Sequence, residues 1–251
     1  MAQQMGIIPL RGTIGNLTFF KTADGFQARA KGGVAGSRIV SDPAFERTRE
    51  NGREFGAAGK AGKVLRTAFQ KLLLSTTDRR MVSRLTQQMH TVLKADAKNP
   101  RGNRNVIDGE AAFLEGFEFN DQGKLTATFF APYTSDINRV SGELKVSVPA
   151  FVPKNLITAP AGATHFKLIS GGAEVDFEKA SSTVDLHESP ELPWNNVATA
   201  DLVFNNIVTA NSTHPLFLAF GVVFFQQVNA SMYPLNNGAY NALAIVRVST
   251  P

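Results

Sequence analysis

From Phe117 to Val248 apolar residues fall on every second position, in short runs separated by turn residues. That period belongs to half-buried strands, and runs this short and this evenly punctuated point to antiparallel sheet. Phe117 and Phe119 alternate with Glu118 and Asn120, Leu125, Ala127 and Phe129 with Thr126 and Thr128, and Leu144, Val146 and Val148 with Lys145 and Ser147. Gly171-Gly172 separates Phe166 and Leu168 from Val175 and Phe177 and reads as a turn pair. Val184 and Leu186 continue the alternation, whereas Leu202 to Val208 and the run Leu216 to Phe225 read as more fully buried strands. Asn236-Asn237-Gly238 reads as a turn into Leu243 to Val248. Residues 111–251 hold thirteen of the 19 Phe, Trp194 and all three Tyr, enough to build a self-sufficient core. The expected fold of this segment is an antiparallel immunoglobulin-like β-sandwich.

Upstream the period changes. Between Asp42 and Lys98 the apolar residues recur every three or four positions, as on helices. Asp42-Pro43 reads as an N-cap and first helical position. The stretch Ala44 to Phe55 carries Glu46, Glu50 and Glu54 at i,i+4 spacing beside Arg49 and Arg53, so acids and bases form adjacent stripes. A second stretch, Lys60 to Leu74, presents Val64, Leu65, Ala68, Phe69, Leu72 and Leu73 on one face. Thr77-Asp78 reads as the cap of a third helix lined by Met81, Leu85, Met89, Val92 and Leu93, with Asn99-Pro100-Arg101-Gly102 ending it.

Residues 1–40 form a Gly-rich leader. Leu17 to Phe20 and Phe26 to Arg29 alternate on either side of Ala23-Asp24-Gly25, a hairpin signal. A two-stranded hairpin is marginal alone, so it needs a surface to lie on. Lys31-Gly32-Gly33 and Ala35-Gly36 read as a flexible joint after it. The sequence therefore predicts an α+β chain with three parts: a β-hairpin arm over 1–40, a basic helical segment over 41–110, and the sandwich over 111–251.

Charge divides the chain along the same line. Through Val106 there are nineteen Lys and Arg against seven Asp and Glu, a net +12, and from Ile107 onward seven against fourteen, a net −7. A basic half invites phosphate-rich partners. Opposite charge on the two halves also invites head-to-tail contact between copies, and both halves can equally be solvated surfaces that keep the chain dispersed.

Motifs for chemistry are absent. With no Cys there are no disulfides, thiolate metal sites or cysteine nucleophiles. His90, His165, His187 and His214 lie too far apart in sequence for a local zinc pattern. Asp185, His187 and Ser189 have the spacing of one strand face and lack a nucleophile elbow. The run Gly56 to Lys63 misses the phosphate-loop spacing, because Ala57 stands where Gly is needed and Val64 where Ser or Thr is needed. It reads as small residues that let helices approach, or as a helix break. Gly12-x-x-Gly15 is a turn signal rather than a dinucleotide fingerprint. The sequence thus predicts no enzyme, no cofactor and no metal. No apolar stretch approaches the ~20 residues of a membrane-spanning helix. The beginning of the chain does not match a secretory signal, so synthesis in the cytoplasm is expected, with an extracellular assembled particle as a second destination.

The segments GTIGNLTFFKTADG, RTRENGREFGAAGKAGKVLRTAF and NPRGNRNV resemble an uncharacterised protein family of Bacteroidetes-group bacteria. Its members share a leading G-x-[IL]-G-x-[IL]-x-F hairpin, an R-x-R-E-N-x-x-E-F-G helix and a β-rich remainder. The resemblance covers the first ~110 residues best. It implies a recurrent bacterial protein and carries no activity or site residue.

The function expected from these features is structural: a protomer of a homopolymeric filament, tube or shell. Its assembly arm would present Leu17, Phe19, Phe20 and Phe26, suited to adding strands to a neighbour's sheet. Its basic surface would present Arg47, Arg49, Arg53, Lys60, Lys63, Arg66, Arg79, Arg80 and Arg84 to the acidic half of another copy. The alternative is a nucleic-acid-binding or packaging protein that uses the same basic half, against which Glu46, Glu50 and Glu54 interrupt the densest Arg stretch. A binding sandwich anchored by Tyr133, Trp194, Tyr233 and Tyr240 is a third possibility.

Overall fold

The computed structural model describes residues 2–4 and 9–251, the side chains of 236 and 237 apart, so Gly6 to Ile8 of the leader lie outside the described residues. The chain forms two compact units, Met1–Arg49 and Glu50–Pro251. Both mix helix with antiparallel strands, as the α+β expectation requires. The boundaries drawn from composition near 40 and 110 divide the chain differently from these units.

In the first unit β1 (Ala2–Gln3), β2 (Gly12–Ile14), β3 (Leu17–Thr22) and β4 (Gly25–Ala30) form one sheet in the order β1-β4-β3-β2. The β3–β4 turn is the Ala23-Asp24 loop, where Thr22 Oγ1 accepts from the Asp24 amide at 3.2 Å. The Gly joint is shorter than its composition suggests, because Gly36 already opens α1 (Gly36–Ser41). Asp42 then caps the Pro43 turn by accepting from the Ala44 amide at 2.9 Å.

Helix α2 (Glu46–Ala68) is one unbroken 23-residue helix. No break occurs at Gly56 to Gly62. Gly62 serves the other purpose of small residues: a Cβ there would already touch Leu85 and Met89 at 3.6–3.8 Å, so glycine lets the next long helix pack close. After Phe69 come α3 (Gln70–Leu73) and α4 (Met81–Lys94), whose Leu85, Met89, Val92 and Leu93 are buried as their spacing predicts.

The second unit then continues through α5 (Leu125–Thr128), β5 (Thr134–Asn138), β6 (Glu143–Val148), α6 (Pro153–Leu156), β7 (His165–Asp176), β8 (Ser181–Glu188), β9 (Leu192–Pro193), β10 (Leu202–Ile207), β11 (Leu216–Val228), β12 (Ser231–Pro234) and β13 (Ala242–Ser249). The large sheet runs β12-β11-β7-β8, with β13 sharing the β12 side of β11 and β9 the β8 side of β7; β10-β6-β5 form a second sheet. All pairings are antiparallel.

Strand β11 explains the layering. Leu216, Leu218, Phe220, Val222 and Phe224 pack with Leu144, Val146, Val148 and Phe204 of the small sheet. Phe217, Ala219 and Val223 pack with Leu65, Phe69, Leu85 and Met89 of the helices. The continuous apolar run is therefore a strand covered on both faces, with helices on one side and a second sheet on the other.

Two local expectations change. Gly171-Gly172 is not a turn, since β7 passes straight through it. A Cβ on Gly171 would lie 2.7 Å from Leu186 and from Leu72, and one on Gly172 would lie 2.7 Å from Asn206. The glycines let two layers approach the same strand. The expected strand at Leu125 to Phe129 is instead the helical turn α5, because the Glu118 carboxylate accepts from the Leu125 amide at 2.9 Å and caps its start. Strand β10 is also less buried than expected: it edges the small sheet and leaves Val203 and Ile207 exposed.

Candidate assembly surfaces

Register sorts the first unit's sheet into two unlike faces. Ala2, Ala28, Phe19 and Gly12 are directly opposed across the four strands, as are Ala30, Leu17 and Ile14, and Phe26 and Lys21. Opposed residues share a face. One face is therefore Ala2, Ile14, Leu17, Phe19, Phe26, Ala28 and Ala30, with Lys21 its one charge within the strands. The other is Gln3, Thr13, Thr18, Phe20, Thr22, Gln27 and Arg29. Of the four arm residues, Leu17, Phe19 and Phe26 meet on the apolar face, while Phe20 lies on the polar one with the Arg29 guanidinium 5.3 Å from its ring centroid. Lys21 and Arg11 stand 5.4 and 5.9 Å from the Phe26 centroid, so cations gather at that end.

Among the described residues of Met1–Arg49, none is buried. Leu17 is 47% and Ile14 62% exposed. Four strands with one apolar face normally bury that face. Both hairpin strands already have neighbours, β1 beside β4 and β2 beside β3, so the hairpin is not a pair of free edges waiting for another sheet.

The basic residues disperse. Arg49 donates to the Ile39 and Asp42 carbonyls at 2.8 and 2.9 Å and so closes the end of α1. Arg84 pairs with Asp78 at 2.5 Å, donates to the Glu118 carbonyl and covers the Phe117 ring. Arg47, Arg53, Lys60, Lys63, Arg79 and Arg80 are exposed and Arg66 is half-buried. Lys60 and Lys63 lie on the outer side of α2, away from its buried Ala58, Ala61 and Leu65.

The acidic stripe of α2 is not a solvated face. Glu54 is 1% exposed; the Arg104 guanidinium donates to both its oxygens at 2.8 Å and the Gly102 amide donates at 2.7 Å. The Arg104 hydrogen bonds, helped by that amide against the cost of burial, hold the Glu54 carboxyl at about 2. Glu50, also buried, faces Arg101 at 3.6 Å, and Arg101 donates to Asn51 at 2.7 Å. Gly102 has φ +88°, and a Cβ there would sit 2.7 Å from Glu50 Cγ. Downstream, burial of Asp96 opposes its ionisation, but the Asn99 side chain and the amides of Asn105, Asn99 and Lys98 outweigh it and hold Asp96 at about 2. The R-E-N-x-x-E and N-P-R-G-N-R segments are thus two halves of one clasp. The sequence carried a signal for it, acids at i,i+4 and arginines at i,i+3, but in segments fifty residues apart.

Asp185 accepts from the Leu186 amide of its own strand at 3.0 Å, from the Ile207 amide of β10 at 2.8 Å, and pairs with His187 at 3.1 Å. It joins the two sheets where β8 and β10 are edges. Burial opposes its ionisation, yet the Ile207 amide and His187 hold the carboxyl below its ordinary value. Among the described residues no three His, Asp or Glu side chains gather as a metal site, and no helix is long and apolar enough to cross a membrane. Of the aromatic loop candidates, Trp194 donates to the Ile157 carbonyl at 3.2 Å and Tyr133 packs on Phe220, while Tyr233 and Tyr240 are exposed. No family model matches the chain, and no curated protein matches it.

Proposed function

We propose that the chain is a structural, self-assembling protein, a non-enzymatic protomer of a homopolymeric filament, tube or shell, related to the Bacteroidetes-group family its N-terminal motifs resemble. The observation that carries this is the first unit's sheet: one face is apolar and none of its described residues is buried. A sheet in that condition gains its stability by covering that face with another molecule. The cationic surface of α2 and the acidic balance after Ile107 supply a second, heterologous contact that propagates. In the same reading the second unit is an immunoglobulin-like sandwich. Its strands fall as β5, β6 and β10 in one sheet and β8, β7, β11 and β13 in the other, the distribution of that Greek key, with helices added on its outer face.

A second reading, nucleic-acid packaging, is favoured by Lys60 and Lys63, exposed side by side on α2 with no ion pair among the described residues. Light scattering and negative-stain imaging of purified protein, with and without nuclease, separate the two. Ordered particles that survive nuclease and loosen with salt are the expected result. Particles that vanish with nuclease would transfer the assembly to the packaging reading. A strictly monomeric chain at high concentration and low salt would overturn both forms of assembly.

A further inference from the structure

We infer that the apolar face of the β1–β4 sheet is a two-fold joint, and that its occupant is the same face of a second copy, stacked sheet on sheet. This rests on the self-assembly reading and names the partner surface and its geometry. It also replaces strand addition as the arm's mode of contact.

The distribution of charge along the face selects this occupant. Lys21 and Arg11 crowd the Phe26 end, whereas the opposite end, Ile14, Leu17 and Ala30, has no charge of its own on that face. When two copies are related by a two-fold axis with strands antiparallel, each cationic end meets the other copy's uncharged end. Parallel stacking would set Lys21 against Lys21. An acidic occupant is disfavoured because most of the face is aliphatic or aromatic. A nucleic acid strand would leave Ile14, Leu17 and Ala30 against solvent or phosphate. The small residues Gly12, Ala2 and Ala28 lie in one row with Phe19, so the Phe19 ring of one copy has a shallow row to enter on the other.

Area sets the strength. Strands about 4.8 Å apart and about 3.4 Å per residue give a four-stranded face of roughly 280 Å². Two such faces bury roughly 560 Å², well short of the ~1,200 Å² of a stable specific interface. The joint is therefore weak and reversible when it acts alone, and becomes persistent only when a second contact holds the copies together.

The test is sedimentation velocity of the full chain over a wide concentration range, at low salt and at high salt. At high salt, where charged contacts are screened, the wild type is expected to show a concentration-dependent monomer–dimer equilibrium. Leu17→Glu and Phe19→Glu are expected to remove the dimer, while Thr18→Glu and Phe20→Glu on the opposite face leave it. To separate loss of the joint from loss of the sheet, a second measurement uses the absence of native Cys. Ala28→Cys, in the centre of the apolar face, is expected to cross-link copies with a short bismaleimide far more than Gln27→Cys on the polar face. Equal cross-linking at the two positions, or a dimer indifferent to Leu17→Glu and Phe19→Glu, overturns the joint. Large particles that persist in those variants leave the assembly reading standing and remove only this joint. A wild type that dimerises but never grows further keeps the joint and removes the polymer. A chain that stays monomeric but binds oligothymidylate or phosphatidylglycerol vesicles, and loses that binding with Phe19→Glu, assigns the face to that partner and overturns the second copy.

Discussion

Phe220 and Phe19 are both phenylalanines in the middle of a strand, yet their surroundings differ. Phe220 is 0% exposed, with the rings of Phe129, Tyr133 and Phe204 at 5.5, 5.2 and 6.1 Å. Phe19 sits in a sheet with no buried described residue. Local pattern decides that each residue is in a strand and which side it takes. It does not decide whether that side is covered, because covering needs a second layer contributed from elsewhere in the chain or from another chain. The second unit supplies two layers for its central sheet; the described residues of the first supply none. The cover of the second unit's sheet is thus internal, and in the assembly reading the stability of the first would depend on concentration and partners.

The comparison breaks most easily at the centre of the larger unit. Phe220→Ala is expected to cost about 3–5 kcal/mol, because the neighbouring rings cannot collapse into the space. For a unit of this size that lowers the main thermal transition by roughly 10 °C. Differential scanning calorimetry reads it directly, and a shift of only a degree or two would mean that the two-sheet core is not closed as described.

Somewhat smaller is the effect of opening the clasp. Glu54→Ala leaves Arg104 half-buried and unpaired, an expected loss of about 3 kcal/mol. The pH dependence gives a sharper check. Glu54 is held at about 2, below its ordinary 4.5, so its stabilising share is complete above pH 4.5 and is lost as pH falls toward 2. Asp96 adds a share that is complete above its ordinary 3.8 and is lost over the range down to about 2. Urea midpoints measured from pH 6 to pH 2.5 are expected to fall steeply for the wild type and less steeply for Glu54→Gln. Parallel curves for the two proteins would show that the clasp does not carry the acid sensitivity.

The clasp also shows where sequence patterns run out. Period-2 alternation placed most strands of the second unit, and the 3.6 period placed α2 and α4, because each pattern is set within one element. Gly171-Gly172 misled because glycine marks both turns and close approaches, and only the layers on either side of β7 distinguish them. Leu125 to Phe129 misled because the Glu118 carboxylate, seven residues away, offers amides a partner that alternation cannot show. The burial of Glu50 and Glu54 was not legible because their arginines arrive from the loop after α4. In the leader the hairpin itself was legible from Asp24-Gly25, but its two short outer strands were not, since two or three residues carry no period. The division of Leu17, Phe19 and Phe26 from Phe20 followed from alternation all along; that no described residue of their unit is buried did not.

At the sandwich edge a moderate effect is expected. Asp185→Ala removes the acceptor for the Leu186 and Ile207 amides, which is expected to destabilise the second unit by about 1–2 kcal/mol. Hydrogen exchange should accelerate at Ile207 before it does so in β11. Unchanged protection there would mean that the β8–β10 side is closed by packing alone.

The smallest expected effect lies in the first unit, and its smallness is what it tests. Phe19→Ser removes a large ring from a face on which no described residue is buried. If the two units are as different as their burial indicates, the main thermal transition moves by no more than about 0.5 kcal/mol, the ordinary range of a surface change. The same substitution in the other unit, Phe220→Ser, would place a hydroxyl among three rings and cost more than the alanine variant. A large loss for Phe19→Ser in dilute monomer would mean that this ring has an internal partner and that the face is not free. A loss that appears only as protein concentration rises would instead locate its partner on another molecule, because only a contact between molecules makes a melting temperature depend on concentration.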